Sequence, residues 1–103
     1  MQVRWTEQSC RALEFIMACS REYYTLTQLR QLRADITQCE KLLSTNPLMG
    51  AVEEELDGLE VEYRRLVLSK PFKFIYFIYE DCIYVADIWD TRQSPTLHRK
   101  RLE

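Results

Sequence analysis

The chain has 103 residues, 47% of them hydrophobic, and a formal net charge of −2. That length is one domain, residues 1–103, and with two glycines and three prolines it leaves little room for long flexible linkers. The near-neutral charge argues against a general nucleic-acid binder, which carries a basic excess. No apolar run reaches the length of a signal segment or a membrane span, so a cytoplasmic protein with no membrane contact is expected.

The charge is unevenly placed. Glu53, Glu54, Glu55, Asp57, Glu60 and Glu62 crowd one stretch, whereas Arg92, Arg99, Lys100 and Arg101 lie in a stretch without an acid. The four cysteines, at 10, 19, 39 and 82, form no Cys-x-x-Cys pair, and His98 is the only histidine. That spacing rejects a zinc site and reads as buried, reduced thiols of a cytosolic protein. No metal and no small-molecule cofactor are expected.

Val3-Arg4-Trp5 reads as a short strand, with Thr6 as N-cap of a helix from Glu7 to about Arg21. Cys10, Leu13, Ile16, Met17 and Tyr24 would lie along one side of it. Thr25 with Gln28 forms a capping box, and Leu29, Leu32, Ile36, Cys39 and Leu43 then recur at helical spacing. Such a stripe serves either a coiled-coil dimer or an intramolecular seam. Spanning under three heptads, it favours the seam. Pro47 and Gly50 end the helices, and residues 47–60 read as an acidic surface connection.

Residues 63–95 hold three runs rich in aromatic and β-branched residues, the pattern of an antiparallel meander. With Glu80-Asp81 as a two-residue turn, Lys73, Ile75, Phe77, Tyr79, Cys82, Tyr84, Ala86 and Ile88 share one face. Phe72, Phe74, Tyr76, Ile78, Ile83, Val85, Asp87 and Trp89 share the other. Counting across Ser69-Lys70 as a second two-residue turn adds Arg64 and Leu66 to the Lys73 face. Both faces are largely apolar, so each needs a cover.

The order of these side chains is a Tyr-Arg at 63–64, then Phe72-Lys73, an Ile-Tyr, an acidic hairpin tip and Arg92 past the last strand. It resembles the RelE/ParE superfamily, the toxins of bacterial type II toxin–antitoxin (plasmid-stabilisation) pairs. The resemblance spans nearly the whole chain and rests on order and spacing, not on a single motif. It implies an α+β fold in the order β-α-α-β-β-β. A small antiparallel sheet, made of a short N-terminal strand and the C-terminal three-stranded meander, carries a two-helix hairpin on one face. The helices then cover the Phe74 face, and function falls to the Lys73 face.

RelE-like members are similar to ribosome-dependent endoribonucleases that cut mRNA with a basic cluster. ParE-like members lack that cluster and poison DNA gyrase by binding it. Against this pattern the chain keeps cations at Arg64, Lys73 and Arg92. Leu66 and Gln93 stand where further cations are common, and the tail offers His98 and Arg99 but no tyrosine. An anionic transition state needs several preplaced cations, so the ParE-like reading comes first. The alternatives are a RelE-like nuclease using Arg64, Lys73, Arg92 and His98 or Arg99, and a non-toxic interaction domain. For the three cations, a solvated strand end and a salt bridge to the acidic segment compete with catalysis. The resemblance also implies a cognate antitoxin as partner, with Ile75, Phe77, Tyr84 and Ile88 as its docking face. The competing cover for that face is the tail itself, Thr96 to Glu103.

Overall fold

A computed structural model describes the backbone of residues 1–103 and the side chains of all but Ser20 and Arg21. Strand β1 (Gln2–Trp5) leads into helix α1 (Glu7–Ala18), the single turn α2 (Ser20–Tyr23) and the long helix α3 (Leu26–Thr45). Then come β2 (Ala51–Val52), a 3₁₀ turn (Glu54–Leu56), β3 (Arg64–Val67), β4 (Phe72–Tyr79), β5 (Cys82–Asp90) and α4 (Pro95–Leu102). The five strands form one sheet in the order β1-β5-β4-β3-β2.

The α+β class and the β-α-α-β-β-β backbone of the fold stand as expected, with the short α2, β2 and α4 added. The sheet is mixed and not antiparallel throughout, because β1 runs parallel to β5. A parallel pair needs a crossover, and the helices supply it. The Thr6 amide and hydroxyl both donate to Val85 O, at 3.1 and 3.0 Å, which ties the start of α1 to the middle of β5.

Both helix starts follow from the sequence. The Thr6 side chain accepts from Ser9 N, and at α3 the capping box is reciprocal: Gln28 N donates to Thr25 Oγ1 at 3.0 Å and Thr25 N to Gln28 Oε1 at 2.8 Å. Helix α1 ends at Ala18, short of Arg21, and buries Ser9, Ala12 and Ile16. Its inward stripe is rotated from the expected one, so Cys10 is exposed and not buried, and Tyr24 lies in the link between α2 and α3. In α3, Leu29, Leu32, Ile36 and Leu43 are buried and Cys39 is half-buried. The stripe is used up inside the molecule, as the seam reading requires.

These helices cover a face made of Phe72, Phe74, Tyr76, Ile83, Val85 and Ile88. Each large apolar side chain removed from water this way contributes about 1.5–3 kcal/mol. Two polar ties lock the layers. Ser69 N donates to Asp35 Oδ2 at 2.9 Å, and Tyr76 OH accepts from Gly50 N at 2.9 Å while donating to Pro47 O at 2.8 Å. Gly50 must be glycine for this: a Cβ there would sit 2.7 Å from the Tyr76 ring and 2.8 Å from Arg65 O.

The meander register holds at the tip, where Tyr79 pairs with Cys82 and Phe77 with Tyr84. It then shifts by one, because Ala86 is an extra residue bulged out of β5: Tyr76 pairs with Val85, but Ile75 pairs with Asp87 and Phe74 with Ile88. Past the bulge, every side chain of β5 changes face. Ile88 therefore joins the helix-side core, and Asp87 and Trp89 move to the opposite face. The β3–β4 link also differs from expectation. Leu68 N donates to Phe72 O, so three residues close the turn, Pro71 included, and Arg64 pairs with Tyr76 and Leu66 with Phe74. Arg64 and Leu66 thus lie on the helix side, and Arg65 and Val67 share the Lys73 face. Nor is the segment 47–60 wholly a surface connection, since Glu53 and Leu56 within it are buried. No helix among the described residues is long and apolar enough to cross a membrane.

Candidate functional site

The second sheet face carries Ile75 and Ala86, packed with Leu56 and Tyr63 and flanked by Phe77, Leu59, Val61 and Leu102. Part of it is covered by the chain's own tail. Pro95 opens α4 at a position where its missing N–H costs nothing. His98 and Leu102 face inward from this helix, while its apolar Leu97 is exposed. His98 is fully buried, its ring stacked on Trp89 with centroids 4.0 Å apart and planes 5° from parallel. Asp87 receives Arg101 on Oδ1 and has His98 Nε2 2.9 Å from Oδ2, while the Arg101 guanidinium lies 5.1 Å from the Trp89 ring centre. The competing cover named above, the tail from Thr96 to Glu103, is the one found over this part of the face.

Toward the hairpin tip the face stays open. Phe77 and Tyr84 stack at 5.2 Å and 16°, both half-buried, and Tyr79 beside them is exposed. Of the four expected docking residues, Ile75 lies under the 3₁₀ segment and α4 and Ile88 lies in the helix-side core, so Phe77 and Tyr84 alone remain accessible.

The candidate cations do not converge. Lys73 is only 8% exposed, and its Nζ donates to Glu53 Oε2 at 2.5 Å and to Glu55 Oε2 at 3.3 Å. Arg65, on the same face, lies 3.6 Å from Glu53. Arg64, across the sheet, donates to Gly50 O at 2.8 Å and pairs with Glu62 at 3.3 Å. Arg92 grips Asp90 through Nε at 3.0 Å and a terminal nitrogen at 2.7 Å, with its guanidinium 5.6 Å from the Tyr24 ring centre. Arg99 donates to Asp57 O. For Lys73 the salt bridge to the acidic segment is the arrangement found. Cations already matched by carboxylates have little left with which to stabilise a pentavalent phosphate.

The Asp90 corner is the most perturbed group of side chains. Burial pushes the Asp90 carboxyl up, but bonds from the Arg92 side chain and amide and from Tyr24 outweigh it and hold it below the usual range. Tyr24, whose OH donates to Asp90 Oδ2 at 2.8 Å, is pushed up to about 12 by burial and by that partner. Burial, with Asp35 and Glu40 nearby, raises the Cys39 thiol to about 11.

Reasoning from sequence missed Asp87, Trp89, Asp90 and Glu53. An acid inside the apolar run Val85-Ala-Asp-Ile-Trp89 was a readable signal, since a buried carboxylate demands a partner. Nothing marked Glu53 apart from the acids around it.

No protein-family model matches the sequence, and no curated protein does. Among solved structures, the chain is similar to a chain of the chromosomal ParDE TA system from P. aeruginosa. The TM-score is 0.63 at 20% identity, covering 85% of this chain and 92% of that one. At that identity the likeness is one of fold.

Proposed function

We propose that this chain is the toxin of a bacterial type II toxin–antitoxin pair, held silent by a cognate antitoxin. In this reading it acts in the ParE-like manner, by binding a target such as DNA gyrase and not by cutting RNA. The fold shared with a ParDE chain supports the first half. The observation that carries the second is Lys73, the central cation of the meander, buried and matched by Glu53 and Glu55. A nuclease of the RelE-like kind needs that charge free. The antitoxin is proposed to dock on the open end of the second face, over Phe77, Tyr84 and Tyr79, where apolar anchors dominate affinity and rim charges set the on-rate.

The test is tightly induced expression in a bacterial host, with and without a small neighbouring reading frame, followed by plasmid supercoiling and in vitro translation assays. Growth arrest relieved by the neighbour, with altered supercoiling and normal translation, is the expected result. Translation arrest with mRNA cleavage would replace the gyrase reading with the RelE-like one. Unimpaired growth in both cases would reduce the chain to a non-toxic interaction domain.

A further inference from the structure

The open end of the second face runs into a cleft. Tyr63 meets Phe77 edge-on with ring centres 5.8 Å apart, and Phe77 stacks in turn on Tyr84, so the rings form one row across the sheet. The row leads into a cleft of about 400 Å³ between residues 58–63 and the last turn of α4. Leu59, Val61, Tyr63, Phe77 and Leu102 are its apolar lining. Tyr79, one step toward the hairpin tip, is 57% exposed. A contiguous apolar patch rimmed by charge marks an interaction surface.

The rim of that patch is acidic. Glu60 and Glu103 line the mouth of the cleft, and Glu80 and Asp81 stand at the hairpin tip, each of them exposed. None of these carboxylates forms an ion pair among the described residues. Glu53, Glu55 and Glu62, by contrast, are matched by Lys73 and Arg64. The Glu60 charge is felt at the lining: after burial, it is the main influence raising the Tyr63 phenol. Against these acids stand Arg4, whose register partner is Tyr84, and Arg99, which donates to Asp57 O. Lys100, midway between the inward His98 and Leu102, is carried to the outer side of α4 by the helical repeat. The patch therefore carries an excess of unmatched negative charge.

We infer that the partner segment docking here is cationic, an amphipathic stretch that seats an apolar side chain in the cleft and sets Lys or Arg against Glu60, Glu103, Glu80 and Asp81. Complementary charge of this kind selects the partner and speeds encounter, while the apolar anchor supplies the affinity. The electron-rich faces of tyrosine and phenylalanine favour cations as well. The same field repels the phosphates of a nucleic acid. This deepens the docking reading above and rests on the open face belonging to a partner. It does not depend on toxicity, and its test uses no antitoxin, so either reading can fail without the other.

The probe is an acetylated, amidated heptapeptide, Lys-Ala-Lys-Leu-Lys-Ala-Lys, titrated into the full chain and followed by amide NMR. Three controls accompany it: the same peptide with Ser for Leu, a counterpart with Glu for every Lys, and a single-stranded oligonucleotide. The expected result is a shift of the Val61, Phe77 and Leu102 amides, with at least about tenfold weaker binding of both control peptides. Affinity for the Lys peptide should fall as salt is raised. Glu60→Lys combined with Glu103→Lys, both at exposed positions, should weaken that peptide several-fold with the fold intact. No binding at millimolar peptide would overturn the inference. So would equal or tighter binding of the Glu peptide, unchanged binding in the double variant, or the oligonucleotide taking the same amides. Peptide binding by a chain that leaves growth unimpaired would remove the toxin reading and keep this one. Growth arrest relieved by the neighbouring frame, without peptide binding, would do the reverse.

Discussion

His98 lies flat on Trp89, centroids 4.0 Å apart, and this stack, with Arg101 on Asp87 and Leu102 against the Ile75 cluster, seats helix α4 on the sheet. The stack exists because the bulge at Ala86 turns Trp89 away from the helices. His98→Ala should leave a cavity costing about 2–4 kcal/mol. His98→Phe, which keeps the stack and adds no polar atom, should recover most of it. Truncation before Thr96 should expose Trp89 and Ile75 and raise binding of an apolar dye. Chemical denaturation of the three proteins checks the order. Equal stability of His98→Ala and the parent would mean that α4 is not docked.

Lys73 and Glu53 should behave as a buried pair. Removing one partner strands the other charge, which typically costs 3–5 kcal/mol, whereas replacing both by apolar residues of similar size is near neutral. Lys73→Ala is therefore expected to destabilise by about 3 kcal/mol. Lys73→Met with Glu53→Leu should destabilise by much less. A double variant as unstable as the sum of its singles would contradict the pairing.

The hairpin tip offers a change of opposite sign. Glu80 has a φ of 54°, in the left-handed region that asparagine and glycine tolerate better. Glu80→Asn should raise stability by about 0.5–1 kcal/mol, read as a higher melting temperature.

Acid should act through Asp90. Folding lowers its carboxyl below the unfolded value, so its contribution is complete above a pH of about 4 and disappears as pH falls through the lower folded value. Asp35, lowered by the Ser69 amide and Gln31 against the effect of burial, adds to the same slope. Asp90→Asn should flatten stability against pH below about 4. It should also bring the Tyr24 phenol down from about 12 in an ultraviolet titration.

Phe77 and Ile88, alternate members of the same expected face, should now part company. Phe77→Ala, on the open end, should leave the fold standing and weaken antitoxin binding by about 1–4 kcal/mol. Ile88→Ala, in the core, should cost about 2–5 kcal/mol of stability. Calorimetric titration and thermal melts on both variants separate the two effects. Loss of binding without loss of stability at Ile88 would restore the original face.

What could be read from the sequence was whatever is settled locally. The α3 capping box and its stripe from Leu29 to Leu43 lie within a few residues of one another, and so does the hairpin tip. The register beyond Ala86 is set by how β5 curves under α1, and the three-residue turn by how Leu68 and Phe72 meet. Each is a one-residue matter with face-wide effects. Arg64, Ile88, Asp87 and Trp89 were misplaced on that account alone. Helix α4 was illegible for a different reason: a segment reading Pro-Thr-Leu-His-Arg-Lys-Arg-Leu has too few apolar positions to declare a buried side.

The parallel pairing of β1 with β5, Gln2 to Cys82 through Trp5 to Val85, sets an order in time. β1 is made well before its partner, since Gln2 precedes Cys82 by 80 residues. While the chain is still being made, β1 has nothing to pair with and α1 has no strand to rest on. Contacts of such long sequence separation form late and slowly. The domain therefore stays unassembled on the ribosome until residue 85 has emerged, and its surfaces come into being together after that point.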